Sequence, residues 1–417
     1  NQVQFNIIKR YSYYSYWCLL LLELLCPIKT RAQYFDITGG KKRVSIPFKL
    51  VRNLVIVQVN INNKGPFNFV MDTGVGLTII TDPKLNASVN IATKRNIKLY
   101  GLNGEDYDAV VIPYIQANMP NISSFLMQAA FLKNDPFNLS NYAGMPVSGL
   151  LGYDFFNSLA VRFNFSDSTM IVSRPQNMRL LRKGTKIPIT IENKKPYLVA
   201  HIKMPNGKTV PSKLVIDLGA GHPLSLEHLA EQNGMPVNFI AANLGMGLTG
   251  PINGYISRID EIELGKYKLK NVITSFPDMA YLKTQLNVTP RDGNLGIGLL
   301  KRFTIVLDYT GKALYIKPDP YFKQPFEHDM SGMEYYFAGN DFDHLIIGRV
   351  EPDSPAYNVG LMPDDEITSI NLKPVGKMSM EEIDAIFRST DGRNLLLHVS
   401  RDNKTFDRVI LTLKRRI

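Results

Sequence analysis

Residues 67–78 read FNFVMDTGVGLT, and the pattern of this segment recurs later in the chain. It is an apolar run that contains one acid, Asp72, followed by a threonine and two glycines before the chain becomes apolar again. Burying a carboxylate in an apolar strand is costly unless the group has a partner or a use. We therefore expect Asp72 to be a functional residue rather than a chance polar residue in a strand.

The same pattern returns in the second half of the chain. Residues 214–221 read LVIDLGAG, which places Asp217 at an offset of 145 from Asp72. Further anchors match at nearly the same offset: residues 100–104 with 246–250, residues 149–156 with 293–300, and the apolar strands behind them, residues 159–165 with 303–309. Self-similarity at a nearly fixed offset predicts two copies of one structural unit.

The runs between these anchors have the composition of strands. Residues 54–59 read LVIVQV and are followed by the turn residues NNKGP at 62–66. β-branched and aromatic residues dominate such runs, and Asn, Gly and Pro dominate the breaks, which indicates an all-β unit with few helices. A chain of 417 residues is long enough for two or three such domains with their own cores.

The Asp-Thr-Gly segment at residues 72–74 resembles the active-site motif of the retropepsin and pepsin aspartic proteases. The order within each copy also resembles one lobe of such an enzyme: a strand ending in acid and glycine, then a glycine-rich hairpin, then an apolar-apolar-glycine strand. The resemblance covers about residues 45–318. It implies a mainly β fold with two retropepsin-like lobes in tandem, each contributing one aspartate.

The resemblance also assigns roles to residues. It implies that the catalytic pair is Asp72 and Asp217. The active-site loops that support this pair would contain Thr73, Gly74, Leu218 and Gly219. Two hairpins, or flaps, would cover the substrate with Tyr100, Gly101, Gly247 and Gly250. The alternative for the last four is that they are ordinary hairpin residues. Leucine stands at position 218 where the pattern predicts threonine. Leucine has no hydroxyl that could bond across to the partner loop, although it could pack in the same place. The departure therefore bears on whether the protein is active more than on its fold.

The last segment contains a different pattern. Residues 351–361 read EPDSPAYNVGL and residues 363–371 read PDDEITSIN. The order Ser-Pro-Ala, Gly-Leu, Asp-x-Ile and Ile-Asn resembles bacterial PDZ domains, with Asp364 where these usually have glycine. Such domains bind an extended peptide as an added strand and hold its terminal carboxylate on backbone N–H groups. The resemblance implies that Gly332 and Met333 bind the peptide; the alternative is a packing domain that stabilises the second lobe.

The N-terminal residues indicate export. Lys9 and Arg10 precede an apolar, aromatic run at residues 11–25, and a small-residue end follows at Ala32. The run is shorter than the ~20 residues that span a bilayer. We predict a signal peptide cleaved after Ala32 and a location in the periplasm or cell envelope, with an N-terminal membrane anchor as the alternative. Both cysteines precede Ala32, so the mature chain would contain neither a disulfide nor a thiolate metal site.

Composition changes predict the domain boundaries. A proline-containing polar stretch separates the second copy from the PDZ-like segment. The predicted divisions are a signal peptide or anchor at 1–32, a first aspartic-protease lobe at 33–180, a second lobe at 181–318, a linker at 319–330 and a PDZ domain, a small α+β or β-barrel fold, at 331–417.

The predicted function is peptide-bond hydrolysis by an aspartate pair that activates water as general acid and base, without a metal or an organic cofactor. The expected partners are peptide or protein substrates and, at the PDZ domain, polypeptide C-termini. The net charge of +11 comes from scattered Lys and Arg, so nucleic acid is not an expected partner. We expect a monomer. Two alternatives stay open: a degenerate protease fold that binds peptides without cleaving them, and a homodimer in which Asp72 meets its symmetry mate.

Overall fold

The computed structural model describes residues 34–83, 85, 95–100, 106–125, 127–227, 233–247, 250–278, 290–402 and 404–417. The chain divides into two compact units, residues 1–33 and 34–417, and every described residue lies in the second. The predicted signal peptide, both cysteines and Gly101 lie outside the described residues. The described chain is mainly β, which confirms this coarser part of the predicted fold class. No helix in these residues is long and apolar enough to cross a membrane.

The first half of the described chain forms a barrel. In chain order its strands are β1 (Phe35–Ile37), β2 (Arg43–Pro47), β3 (Lys49–Val51), β4 (Leu54–Ile61), β5 (Lys64–Met71), β6 (Thr78–Ile80), β7 (Arg95–Tyr100), β8 (Asp106–Ile115), β9 (Ala117–Met119), β10 (Ile122–Ser124), β11 (Met127–Leu132), β12 (Gly149–Leu151), β13 (Ala160–Asn164) and β14 (Thr169–Ser173). The order β4-β5-β12-β6-β11-β8 closes on itself, because β9 continues β8 after one residue and pairs back to β4. The turns Arg52-Asn53 and Asn62-Asn63 have positive φ at both residues, which suits two-residue hairpins.

The second half repeats this arrangement. Its strands are β15 (Thr185–Pro188), β16 (Thr190–Glu192), β17 (Lys195–Lys203), β18 (Thr209–Asp217), β19 (Leu224–Leu226), β20 (Phe239–Gly247), β21 (Gly250–Leu264), β22 (Tyr267–Pro277), β23 (Gly293–Gly296), β24 (Phe303–Asp308) and β25 (Ala313–Pro318). The barrel order is β17-β18-β23-β19-β22-β21, and β21 pairs back to β17. In both halves the strand leading to the acid runs parallel to the glycine strand, β5 to β12 and β18 to β23. The glycine strand is in turn antiparallel to the short strand that follows the acid, β6 or β19.

One sheet is shared by the two halves. Its order is β15-β25-β24-β13-β14-β2, so each half contributes three strands. The two halves meet where β13 and β24 pair antiparallel, with Arg162 opposite Val306. Phe163 and Phe303 are fully buried here, in one apolar core that extends from the first half into the second. The shared sheet therefore relates the two copies by an approximate twofold and fixes the two acid-bearing strands relative to each other.

The C-terminal segment forms its own sheet. Its strands are β26 (Met333–Ala338), β27 (His344–Val350), β28 (Glu366–Ile370), β29 (Lys373–Pro374), β30 (Asn394–Arg401) and β31 (Lys404–Thr412). The order is β26-β27-β28-β30-β31, with β29 beside β28. A second apolar core joins this sheet to the first half, since Leu54 and Leu150 belong to the same buried cluster as Tyr335 and Phe387. The predicted domain boundaries stay predictions.

Short helices connect the strands. They are α1 (Leu139–Ala143), α2 (Tyr153–Ser158), α3 (Ile297–Leu300), α4 (Pro355–Asn358) and α5 (Met380–Phe387), with 3₁₀ turns at Pro175–Asn177, Pro320–Lys323 and Val375–Lys377. Ser354 and Ser379 begin α4 and α5 by accepting a hydrogen bond from a backbone N–H of the first turn. α2 and α3 follow the two glycine strands directly, at matching places in the repeat.

Candidate active site

The two acids lie at corresponding places in the two copies. Asp72 follows β5 directly, and its N–H donates to the carbonyl of Leu151 at 2.9 Å. Asp217 ends β18, opposite Gly296 of β23. Each acid is therefore held between an apolar strand and the glycine strand beside it. Asp72 is only 8% exposed, although it is a carboxyl group.

The turns after the acids bring the two carboxyl groups together. Gly74 N–H donates to Asp72 Oδ1 at 2.7 Å, and Gly219 N–H donates to Asp217 Oδ1 at 2.9 Å. A Cβ on Gly74 would lie 2.9 Å from Asp217 Oδ1 and 3.0 Å from Asp72 Oδ1, and a Cβ on Gly219 would lie 2.3 Å from Asp72 Cγ. Only glycine fits at these two positions, because the carboxyl groups occupy the space a side chain would need. The single chain thus brings Asp72 and Asp217 together without a symmetry mate.

Thr73 links the two turns. Its hydroxyl donates to the carbonyl of Ile216 at 2.6 Å and accepts from the N–H of Leu218 at 2.9 Å. Leu218 makes no reciprocal hydroxyl bond; its side chain is fully buried in the apolar core. The cross-link between the loops is therefore polar on one side and apolar on the other, and the leucine contributes packing where the resemblance predicts a hydroxyl.

Burial and the second acid both act on Asp72. Burial raises the pKa of Asp72 from 3.8 to about 7, and the neighbouring charge of Asp217 acts in the same direction. A side-chain hydrogen bond to Asp217 also raises this pKa, because it requires a proton on one of the carboxyl groups. The Gly74 N–H and the Lys195 ammonium oppose the increase. Asp72 therefore retains a proton up to near-neutral pH.

Asn294 contacts the site, although no sequence motif predicted it. It lies in β23 opposite Val215, and its Nδ2 donates to Asp217 Oδ2 at 2.9 Å. The first copy has Leu150 at the corresponding place, so the repeat itself contained a signal: a polar residue in one copy where the other is apolar. The two acids consequently have different surroundings, because in the described part of the chain a side-chain amide contacts Asp217 and none contacts Asp72.

Each acid loop is also contacted by a hairpin turn of the other half. Asn53 Nδ2 donates to the carbonyl of Gly221 at 2.7 Å, and a Cβ on Gly221 would lie 2.8 Å from the Arg52 carbonyl. A Cβ on Gly76 would lie 3.4 Å from Cδ of Lys194, in the β16–β17 turn. These crossed contacts follow the approximate twofold and support both acid loops from outside.

A buried ion pair lies near Asp217. Arg291 donates to both carboxylate oxygens of Glu227 at 3.0 and 2.6 Å, and the two side chains are 6% and 10% exposed. Burial and the nearby Arg291 lower the pKa of Lys195, while Asp217 and Asp72 act in the opposite direction. The sequence argument singled out none of these residues, because each is an isolated charge among many in the sequence.

The predicted flap residues lie at hairpin ends. Tyr100 is the last residue of β7. Gly247 ends β20 and is paired with Gly250, which begins β21. These pairings support hairpins at the predicted places; the role of the residues over a substrate stays a prediction.

The predicted carboxylate loop of the C-terminal segment is satisfied internally. The N–H groups of Ser331 and Gly332 each donate to Asp329 Oδ1 at 2.9 Å, and Met333 N–H donates to Ser331 Oγ at 3.1 Å. Gly332 has φ +77°, and a Cβ there would lie 2.1 Å from Ser354 Cβ, so the loop requires glycine. Peptide binding by Gly332 and Met333 stays a prediction.

Two other features lie apart from the acids. A cavity of about 540 Å³ has several cations in its lining, including Arg258, Lys270, Arg302 and Arg415. Arg302 uses its guanidinium to hold the carbonyls of residues 321, 324 and 325, which is a structural role. Among the described residues, no group of three His, Cys, Asp or Glu side chains could hold a metal ion.

Comparison with known families identifies one part of the chain. The family described as the PDZ domain matches residues 346–401, which contain α4, β28 and α5. No curated protein matches the chain at a significant level. Residues 346–401 are a PDZ domain, as predicted, and such a domain indicates peptide binding and peptide or protein partners. The match includes neither Asp72 nor Asp217.

Proposed function

We propose that the chain is an aspartic endopeptidase with two retropepsin-like lobes and a PDZ domain that binds polypeptide ends. One observation carries this proposal: two carboxyl groups on equivalent glycine turns face each other so closely that a Cβ on Gly74 would lie 2.9 Å from Asp217 Oδ1 and a Cβ on Gly219 2.3 Å from Asp72 Cγ. Peptide hydrolysis by carboxyl groups alone requires such a pair with one shared proton. A purely structural role would not explain why both copies place an acid at the end of the same apolar strand, and why one of these acids, Asp72, is buried.

The two acids take different roles. Asp72, whose pKa is raised to about 7 by burial and by Asp217, holds the proton and polarises the substrate carbonyl. Asp217, oriented by the Gly219 N–H and Asn294 Nδ2, accepts the proton of the attacking water. The proton that leaves water on Asp217 is then available to the departing amine, so the pair returns to its starting state without a cofactor. We expect a monomer to be active, because one chain supplies both acids.

A cleavage assay tests the proposal. The full chain would be incubated with a pool of random peptides from about pH 4 to about pH 8, and products identified by mass spectrometry. We expect cleavage that pepstatin-like inhibitors block and that Asp72→Asn and Asp217→Asn each abolish. Asp36→Asn is the matched control, because Asp36 pairs with Arg174 at 2.7 Å outside the site. Cleavage that persists in both active-site variants would contradict the proposal.

The second candidate is a peptide-binding protein with a degenerate protease fold. The observation that favours it is Leu218, which is fully buried and leaves the cross-loop bond to Thr73 alone. In this case the pool of peptides would bind to the full chain, binding would decrease in Asp217→Asn, and no product would form at any pH tested.

We also retain export to the periplasm or cell envelope as a proposal. It rests on the basic, apolar and small-residue order that ends at Ala32. Sequencing the N-terminus of the protein secreted from its host would give Gln33 as the first residue. An N-terminus within residues 1–26 would favour the anchor instead.

A further inference from the structure

The PDZ sheet has an edge strand that is already covered. β26 pairs with β27 on one side and with no other strand among the described residues. A PDZ domain binds its ligand by adding a strand to a sheet edge, after a loop that holds the carboxylate, and β26 follows the loop at residues 331–333. Yet no residue of β26 is exposed. Helix α5 packs beside this edge, where Tyr335 contacts Phe387 with ring centroids 5.2 Å apart. The groove is the seam between β26 and α5.

Arg52 of the first half enters this groove. Its Nη1 donates to the backbone carbonyl of Tyr335 in β26 at 3.0 Å, and its Nη2 donates to Asp384 of α5 at 3.3 Å. The guanidinium lies between two rings, 4.7 Å from the centroid of Tyr142 and 4.8 Å from that of Tyr335. Asp384 also accepts from the Tyr335 hydroxyl at 2.8 Å. Arg52 thus uses a main-chain acceptor of the edge strand and bridges the strand to the helix, as an added peptide would.

Helix α1 covers β26 at Phe337. Gly144, the residue that caps the C-terminus of α1, lies so close to Phe337 that a Cβ on Gly144 would be 2.6 Å from the phenyl ring. Phe337 is 2% exposed and shares an apolar core with Ala143. At the other end, Asp329 supplies the carboxylate that the loop N–H groups bind. A bound C-terminus would provide a carboxylate, a hydrogen-bond donor to the edge strand and an apolar contact. This chain provides all three itself, through Asp329, Arg52 and α1.

We propose that the PDZ groove between β26 and α5 is an autoinhibited docking site for a polypeptide C-terminus, held closed by the chain's own Arg52 turn and α1. The turn connects the groove to the acid pair, because the adjacent Asn53 bonds to Gly221 in the Asp217 loop. β26 also contacts the β20–β21 hairpin through Asn243 and Glu334, 3.2 Å apart. A peptide that displaces Arg52 therefore moves a support of the Asp217 loop. The proposal rests on the peptide-binding part of the proposed function, and it holds whether or not the acid pair hydrolyses peptides.

Binding of C-termini to the full chain tests the proposal. The probe is a fluorescent pool of random short peptides with free C-terminal carboxylates, and the same pool with C-terminal amides is the reference. We expect weak binding to the wild type and at least about tenfold tighter binding of the free-carboxylate pool to Arg52→Ala, because the competent groove becomes more populated. Lys373→Ala is the matched control. It removes an exposed ion pair between Lys373 of β29 and Glu382 of α5, and it should leave binding unchanged. Equal binding by wild type and Arg52→Ala, or binding by neither, overturns the proposal.

Hydrogen exchange gives a second readout that does not depend on affinity. In the wild type the amides of β26 are expected to be protected, and Arg52→Ala loses protection there while β30 keeps it. Adding the free-carboxylate pool to the variant restores protection of β26 and changes exchange at residues 217–221. If Arg52→Ala does not fold, Asp384→Asn takes its place, since it removes the charge that holds Arg52. Unchanged exchange at both segments after peptide addition counts against the link to the acid loop.

Discussion

Replacing Asp72 by asparagine should stabilise the folded protein at neutral pH and leave its stability unchanged in acid. Burial and Asp217 raise the pKa of this carboxyl from 3.8 to about 7 in the folded state. Below about pH 3.8 the folded and unfolded states both hold the Asp72 proton. Between pH 3.8 and about 7 the unfolded state releases this proton and the folded state does not, so the free energy of unfolding falls as pH rises. Above about pH 7 both states have released the proton, and the free energy of unfolding decreases no further.

The magnitude follows from the interval between the two pKa values. At about 1.4 kcal/mol per pH unit, an interval of roughly three units corresponds to at most about 4 kcal/mol. Asparagine carries no charge at any pH and is nearly the same size, so Asp72→Asn recovers this energy above about pH 7. The gain should shrink steadily as pH falls and vanish near the ordinary pKa of an aspartate.

Denaturant unfolding of the wild type and of Asp72→Asn at a series of pH values measures this difference. Asp36→Asn is a control of opposite sign: the hydrogen bond from Arg174 lowers the pKa of Asp36, so its loss should destabilise the protein at neutral pH and not in acid. An Asp72→Asn protein that is no more stable than wild type at about pH 8 would refute the argument that burial penalises this carboxylate.

Three further substitutions probe the support of the site. Thr73→Val removes a hydroxyl that bonds two buried backbone groups and should cost about 2–4 kcal/mol of unfolding free energy, measured by denaturant titration. Lys195→Met removes a cation that lowers the pKa of Asp72, so the alkaline decrease of peptide cleavage should move to higher pH. Glu227→Gln leaves Arg291 buried without a counter-charge and should cost about 3–5 kcal/mol in the same titration.

The first two substitutions have a control variant, and the third has an outcome that would contradict it. Thr73→Ser keeps the hydroxyl and should retain most of the stability, so a larger loss in Thr73→Ser than in Thr73→Val would show that the methyl group and not the hydroxyl stabilises the site. Lys208→Met removes an exposed lysine of the same half, and its cleavage profile should match that of the wild type. A Glu227→Gln protein as stable as the wild type would mean that Arg291 finds another partner.

Much of the site was predictable because its signals are local. A lone acid in an apolar strand, followed by glycine, predicts a turn that carries a functional carboxylate, and the repeat supplied its partner Asp217. The PDZ domain was predictable for the same reason, since its turns follow one another within residues 346–401. Asn294 was missed, although the repeat contained its signal, because a polar residue in a strand has no unique meaning until its neighbour is known.

The sequence by itself determined that this protein has two copies of one β unit, an acid in each copy and a PDZ domain. These depend on periodicity, turn residues and short motifs, which act over a few residues. Only the tertiary structure decided that Thr73 bonds the opposite loop while Leu218 packs beneath it, and that Arg52 fills the groove beside Asp384, 332 residues away. Contacts over such distances are chosen by the packing of whole sheets, so no local pattern around Asp72-Thr73-Gly74 could reveal them.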